Sequence, residues 1–172
     1  MSASLSYCYH PTPVGALLLA GDAKALHFVS FPSGSKAFVP RSGWQRDDEP
    51  FREVKRQLDA YFAGDLKHFD LPLALGGTEF QRKVWLALAD IPFGETRTYG
   101  WQAEVVSAPG SARAVGAANG ANPIPIILPC HRVIGSTGAL TGFGGGIEVK
   151  RWLLTHEGAM PKAKSGQQLQ LF

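Results

Sequence analysis

Only two of the 172 residues are cysteines, Cys8 and Cys130. That is too few for a disulfide-stapled secreted scaffold, and a reducing compartment keeps both as thiols. Long apolar runs are missing as well: nothing approaches the roughly 18 residues needed to cross a bilayer. Residues 1–13 carry neither a basic stretch nor a signal-like apolar block, so the reading is a cytoplasmic protein with no membrane partner. No repeat or low-complexity segment occurs, and neither sign of charge dominates. Seventeen Lys and Arg against fourteen Asp and Glu leave a net charge of +3, which permits a nucleic-acid partner without demanding one. Most of that excess lies in residues 159–172, which hold two basic and no acidic residues, whereas residues 78–158 hold seven and six.

What is present describes a loop-rich globular chain: 45% hydrophobic residues, 20 Gly and 12 Pro. Leu5–Tyr9, Ala16–Ala20 and Ala25–Phe31 read as short strands separated by Pro and Gly, together an antiparallel sheet. Residues 33–49 read as a loop. Pro50 opens a helix whose apolar positions Phe51, Val54, Leu58, Tyr61 and Phe62 share one face until Gly64, and that face should cover the sheet. Gly76 and Gly77 mark a boundary. Beyond it, Thr78 and Gln81 fit a capping box for a helix burying Phe80, Val84, Trp85 and Leu88. Tyr99–Val106 and Ser111–Asn119 then outline a helix-turn-helix, Ile124–Leu128 a short buried strand, Val133–Phe143 a turn or hairpin, and Glu148–Glu157 a last helix. The expected fold is α/β: a small amino-terminal sheet-plus-helix domain (1–76), then a mostly helical, winged helix-turn-helix-like domain (77–160), then a flexible tail (161–172).

The sharpest chemical feature is Pro129-Cys130-His131-Arg132. A thiol becomes a useful nucleophile when a neighbour lowers its pKa or takes its proton. Spacing alone equally allows a buried structural cysteine beside a polar loop histidine. Context decides between them. Thr78-Glu79-Phe80-Gln81-Arg82-Lys83-Val84-Trp85, Ile91-Pro92-Phe93-Gly94-Glu95-Thr96, Ala112-Arg113-Ala114-Val115-Gly116, Asn122-Pro123, Pro129-Cys130-His131-Arg132-Val133-Ile134 and the stretch Lys150–Glu157 follow one another in order. Together they resemble the O6-alkylguanine-DNA alkyltransferases, also called methylated-DNA-protein-cysteine methyltransferases, across residues 78–158. Residues 1–75 match that family's amino-terminal domain in size and in their strands-then-helix pattern.

The resemblance implies direct reversal of O6-alkylguanine damage, extending to O4-alkylthymine, with Cys130 keeping the alkyl group after a single turnover. It makes His131 the base acting through a water and Glu157 the group orienting that imidazole. Asn122 braces the segment leading to the cysteine, and Tyr99 donates to the departing guanine. Backbone groups of Cys130, Val133 and Gly144 would bind the base edge, with Phe143 as a wall where the family often has Tyr. The partner implied is double-stranded DNA, entered through the minor groove by the small-residue helix, with Ala112, Ala114 and Gly116 approaching closely and Arg113 filling the space of an extruded nucleotide. An ordinary surface ion pair is the alternative for Arg113. Gln102 and Ser107 stand where the family usually has an apolar residue and Gly, an exchange expected to loosen the first helix of the pair. Cys at 130, where lesion-binding relatives without repair activity have Trp, sets the chain apart from them. A non-catalytic lesion sensor and a cysteine hydrolase using Cys130, His131 and Glu157 are the rival readings.

No cofactor and no metal are expected: Cys8, His10, His27 and His68 lack any closely paired ligand motif. The Gly-rich run 142–146 fits neither a dinucleotide nor a phosphate loop. The carboxyl-terminal Gln168-Leu169-Gln170-Leu171-Phe172 looks like the short peptides that hold a bacterial sliding clamp, with Gln168 setting register and Leu169, Leu171 and Phe172 as apolar anchors. The protein is otherwise expected to be a monomer.

Overall fold

The structure, a computed structural model, describes residues 4–161. Three short strands form where the alternation of apolar residues and turn residues places them: β1 (Ser6–His10), β2 (Leu17–Gly21) and β3 (Leu26–Ser30). β2 pairs antiparallel with both neighbours, and its Leu17, Leu18, Leu19 and Ala20 are buried on both faces. A fourth strand, β4 (Gln45–Arg46), lies in the segment expected to be loop. It adds parallel to the edge at Ser6 and Tyr7, giving the order β3-β2-β1-β4. Two exposed polar residues carry no alternation from which a strand could be read.

Asp48, Glu49 and Pro50 lead through a 3₁₀ turn into α1 (Arg52–Phe62). Val54, Gln57, Leu58 and Tyr61 fall on its buried face at helical spacing. The chain leaves at Gly64 (φ +86), passes Leu73 beside Leu26 in a single bridge, and reaches Gly77. That residue requires glycine: its φ is +79, and a Cβ would lie 2.8 Å from the Trp85 ring.

Thr78 then caps α2 (Glu79–Leu88) with the expected reciprocal bonds to Gln81. After β5 (Arg97–Thr98) come α3 (Tyr99–Val105) and α4 (Ala112–Gly120), the helix-turn-helix pair. Gln102 does not loosen it. The residue is fully buried and forms a reciprocal amide pair with Asn119 (2.7 and 3.0 Å), while its Nε2 also donates to the Val84 carbonyl. Ser107, in the place of a glycine, has φ +60, which is why Gly suits that turn.

One further expectation is corrected. Ile124–Leu128 is buried but is a turn, not a strand: Leu128 N–H donates to the Ile124 carbonyl, and Ile126 sits at φ +74, where β-branched residues are rare. Pro123 and Pro125 lack the donors a strand would need. The turn expected within Val133–Phe143 is present around Ser136–Gly138. The first residues of that segment form β6 (Val133–Ile134), parallel to β5, before a tight turn at Gly135–Ala139. α5 (Ile147–His156) ends the described chain, with Glu157 as its C-cap and Gly158 in the left-handed region. No helix among the described residues is long and apolar enough to cross a membrane.

One hydrophobic cluster runs from Leu17, Leu19 and Val29 in the sheet, through Leu58 and Tyr61, to Val84, Val115, Ile126, Cys130 and Leu153. The two halves therefore share a core, and the chemistry lies along their junction.

Candidate active site

Cys130 opens a 3₁₀ turn, Cys130–Arg132, directly after the buried 124–128 turn. Asn122 holds that turn from within: its Nδ2 donates to the Leu128 carbonyl (2.8 Å) and its Oδ1 accepts from Ile124 N–H (2.9 Å). These bonds replace the ladder that proline denies the segment. Cys130 is 8% exposed and lines a pocket with Asn122, Phe143 and Gly144 from its own half and Phe31, Lys36 and Phe38 from the sheet half. Burial pushes its thiol pKa up. The Asn122 side chain, the Lys150 charge and backbone donors at 130 and 131 oppose that rise.

Behind the thiol sits a fully buried acid-base cluster. His131 Nε2 lies 2.6 Å from Glu157 Oε2, and Arg132 grips the same carboxylate through Nε to Oε1 (2.8 Å) and Nη2 to Oε2 (3.2 Å). Arg132 is itself anchored on the Ile91 carbonyl, and the Tyr61 hydroxyl donates to Glu157 Oε2 at 2.6 Å. Burial raises the Glu157 carboxyl, but the hydrogen bonds from His131 and Arg132 and the Arg132 charge outweigh it, holding it well below the ordinary carboxylate range. Burial lowers the His131 pKa from its ordinary value, with the Arg132 and Lys150 charges acting in the same direction and Glu157 opposing. The imidazole Nδ1 is buried with no hydrogen-bond partner among the described residues.

Lys150, fully buried on α5, donates to the carbonyls of Val133 (2.7 Å) and Thr141 (2.9 Å). Burial lowers its pKa to about 8, against the pull of Cys130. The Val133 carbonyl expected to face a base is therefore already engaged by an ammonium. Tyr99 starts α3 with its hydroxyl accepting from Thr141 Oγ1 (3.1 Å); burial raises its pKa, with the Cys130 charge acting in the same direction. Phe143 packs on Phe31 with ring centroids 5.5 Å apart. The Gly144 carbonyl accepts from Lys36 N–H, and a Cβ at Gly145 would lie 2.6 Å from the Phe31 ring.

On α4, Val115, Ala118 and Asn119 face inward, and the Ala118 carbonyl accepts from the Trp85 indole (2.7 Å). Ala112, Arg113 and Ala114 are exposed and Gly116 is half-buried. Arg113 makes no ion pair among the described residues. Gln168, Leu169, Leu171 and Phe172 lie outside the described residues.

A reactive-looking thiol, a buried His–Glu pair and a small-residue helix thus converge on one junction. Models of known families match both halves: residues 5–75 match the 6-O-methylguanine DNA methyltransferase ribonuclease-like domain, and residues 79–159 its DNA-binding domain. The chain belongs to the 6-O-methylguanine DNA methyltransferase family. It is similar to the methylated-DNA–protein-cysteine methyltransferase of Methanosarcina acetivorans, 52% identical over 153 residues, or 89% of this chain and 98% of that one. The Mycobacterium tuberculosis protein of the same name is 50% identical over 162 residues, 94% of either chain. The crystal structure of Mycobacterium tuberculosis OGT in complex with DNA superimposes with a TM-score of 0.84 at 51% identity, covering 88% of this chain and 92% of that one.

Of the expected residues, Cys130, Asn122, Phe143 and Gly144 line one pocket, His131 and Glu157 form a buried pair, Val133 and Tyr99 are joined to each other through Lys150 and Thr141, and Arg113 stands apart on the open face of α4. Sequence reasoning missed Tyr61, Arg132, Lys150 and Lys36 as members of the site. Lys150 had a signal, because it stands at helical spacing with the buried Leu153, Leu154 and Glu157. A lysine on an apolar face has an internal partner. Tyr61 had none beyond its burial, since its partner lies 96 positions away.

Proposed function

We propose that this protein reverses O6-alkylguanine damage in double-stranded DNA, and O4-alkylthymine by the same chemistry, by moving the alkyl group onto Cys130 once per chain. The observation that carries this reading is a pocket-lining Cys130 followed directly in the chain by a buried His131 whose Nε2 lies 2.6 Å from Glu157 Oε2. The Cys130 proton passes through a water to His131 Nδ1, and Glu157 stabilises the imidazolium formed. The thiolate attacks the alkyl carbon in line; the S–C bond forms as the C–O bond breaks, and the electron pair goes to the guanine. Tyr99 donates to the guanine as charge develops, and the Lys150 ammonium favours the thiolate. The step is redox-neutral and balances without a co-reactant. A thioether has no route back to a thiol here, so each molecule reacts once.

The target atom is inside a base pair, so the nucleotide leaves the stack at a cost of a few kcal/mol. The exposed Ala112, Ala114 and half-buried Gly116 let α4 enter the minor groove, and the unpaired Arg113 fills the vacated space. The Mycobacterium tuberculosis relative solved in complex with DNA supports the same partner. In this reading residues 1–76 support a transfer unit at 77–160, the protein acts as a monomer, and residues 161–172 carry a sliding-clamp peptide.

The test is titration of a duplex containing O6-methylguanine. Lesions removed should rise in proportion to protein and stop at one per chain, with none removed by Cys130→Ser. Tight lesion binding with no removal by the unaltered protein would replace this reading with that of a lesion sensor. Loss of clamp co-elution on deleting residues 168–172 tests the tail, and unchanged co-elution rejects it.

A further inference from the structure

Glu157 takes its donors from both halves of the molecule. Oε2 receives the Tyr61 hydroxyl at 2.6 Å and faces His131 Nε2 at the same distance. Tyr61 stands on α1, in the half with no other link to this carboxylate. Its ring is fully buried and fixed by neighbours on several sides, with centroids 5.1 Å from Phe62, 5.4 Å from Phe69 and 6.1 Å from Phe93. Its backbone carbonyl lies 2.7 Å from Nε2 of His156, the residue preceding Glu157. The end of α5 is thus tied to α1 at two successive residues, once through the main chain and once through the phenol.

We propose that Tyr61 is a positioning residue for the alkyl transfer: through the shared Glu157 oxygen, the sheet-bearing half sets the proton affinity of His131. The inference rests on the reading of His131 as the base. Donors that share one carboxylate oxygen, here Tyr61, His131 and, at 3.2 Å, Arg132 Nη2, compete for its charge, so each weakens the hold of the oxygen on the others. With the phenol in place, Glu157 holds His131 in orientation without drawing a second proton onto the ring, and Nδ1 stays free to accept. Burial pushes the phenol pKa up, so Tyr61 remains a protonated donor at every working pH. The other groups facing the pair are Arg132 beside the carboxylate, Lys150 and Cys130 on the pocket side, and His156 next along α5. Lys67 reaches only the Phe93 ring, at 5.7 Å.

Removing the hydroxyl leaves Oε2 more basic toward the imidazole and favours imidazolium. The acid limb of the transfer rate then moves to higher pH, as does the His131 titration. The experiment measures single-turnover methyl transfer from an O6-methylguanine duplex across pH, with ¹⁵N titration of the His131 ring in DNA-free protein. It compares the unaltered chain, Tyr61→Phe, and a chain carrying 3-fluorotyrosine at position 61. Tyr61→Phe should raise both midpoints by about half a unit or more. Fluorotyrosine, a stronger donor of the same shape, should lower them, and it decides alone if Tyr61→Phe does not fold. Midpoints that stay put in the variants would reduce Tyr61 to core filling. If the unaltered chain transfers no methyl while the His131 titration still responds, the function assigned above fails and the coupling stands.

Discussion

A single carboxylate explains much of the residue-scale design: Glu157 satisfies His131, Arg132 and Tyr61 together, and these donors offset the desolvation cost of its burial while holding the imidazole. The cysteine, histidine and glutamate were legible because they lie in ordered sequence blocks. Tyr61 and Arg132 were not, because a carboxylate's partners are fixed by packing and not by spacing. Asn122 is the brace for an otherwise strained turn, so Asn122→Ala should lower stability by about 1–3 kcal/mol and slow alkyl transfer at least about tenfold. Urea melts and single-turnover rates check the two effects. Lys150 gives a pH signature. Its pKa falls from 10.5 to about 8 on folding, so between those values the unfolded chain binds more protons and stability rises with pH. Below about 8 the cost of burying the ammonium is present in full; toward 10.5 it fades. Relative to Lys150→Met, the unaltered protein should gain about 1–3 kcal/mol between neutral pH and pH 10, measured by paired urea melts.

At the scale of elements, the strands, α1, the capping box and the two helices of the turn motif were legible within a residue or two, because each carries its own periodicity and punctuation. Ile124–Leu128 was not: an apolar run between prolines says buried, but the bonds that shape it come from the Asn122 side chain. β4 and β6 are two residues each and depend on neighbours distant in sequence. α4 presents small residues and one cation outward because its inner face is pinned, by the Trp85 indole on Ala118 and by the Gln102–Asn119 amide pair. In the proposed reading that pinned helix holds Arg113 as the wedge. Arg113→Ala should slow repair of a paired O6-methylguanine by about 10–100-fold, the worth of a few kcal/mol of extrusion. Reaction with the free base O6-benzylguanine should be unchanged. Equal slowing of both substrates would place Arg113 in the chemistry and not in extrusion.

The whole molecule is organised around the seam between its halves. The hydrophobic cluster crosses it, the pocket is lined from both sides, and Glu157 on one side accepts from Tyr61 on the other. Calorimetry should therefore show one unfolding transition whose calorimetric and van't Hoff enthalpies agree; two resolved transitions would mean that the shared core contributes little. Net charge says less about this molecule than its small positive value suggests, since residues 78–158 carry an excess of only one. The proposed reading therefore assigns recognition to the placement of α4 and Arg113. The central claim is that Cys130 itself receives the alkyl group. Incubating the protein with a duplex whose O6-methylguanine bears a trideuteriomethyl group, then mapping peptides by mass, tests it directly. The account predicts one labelled methyl per chain, on Cys130 and nowhere else. A repaired duplex with the label on water, on another residue, or on more than one site per chain would contradict it.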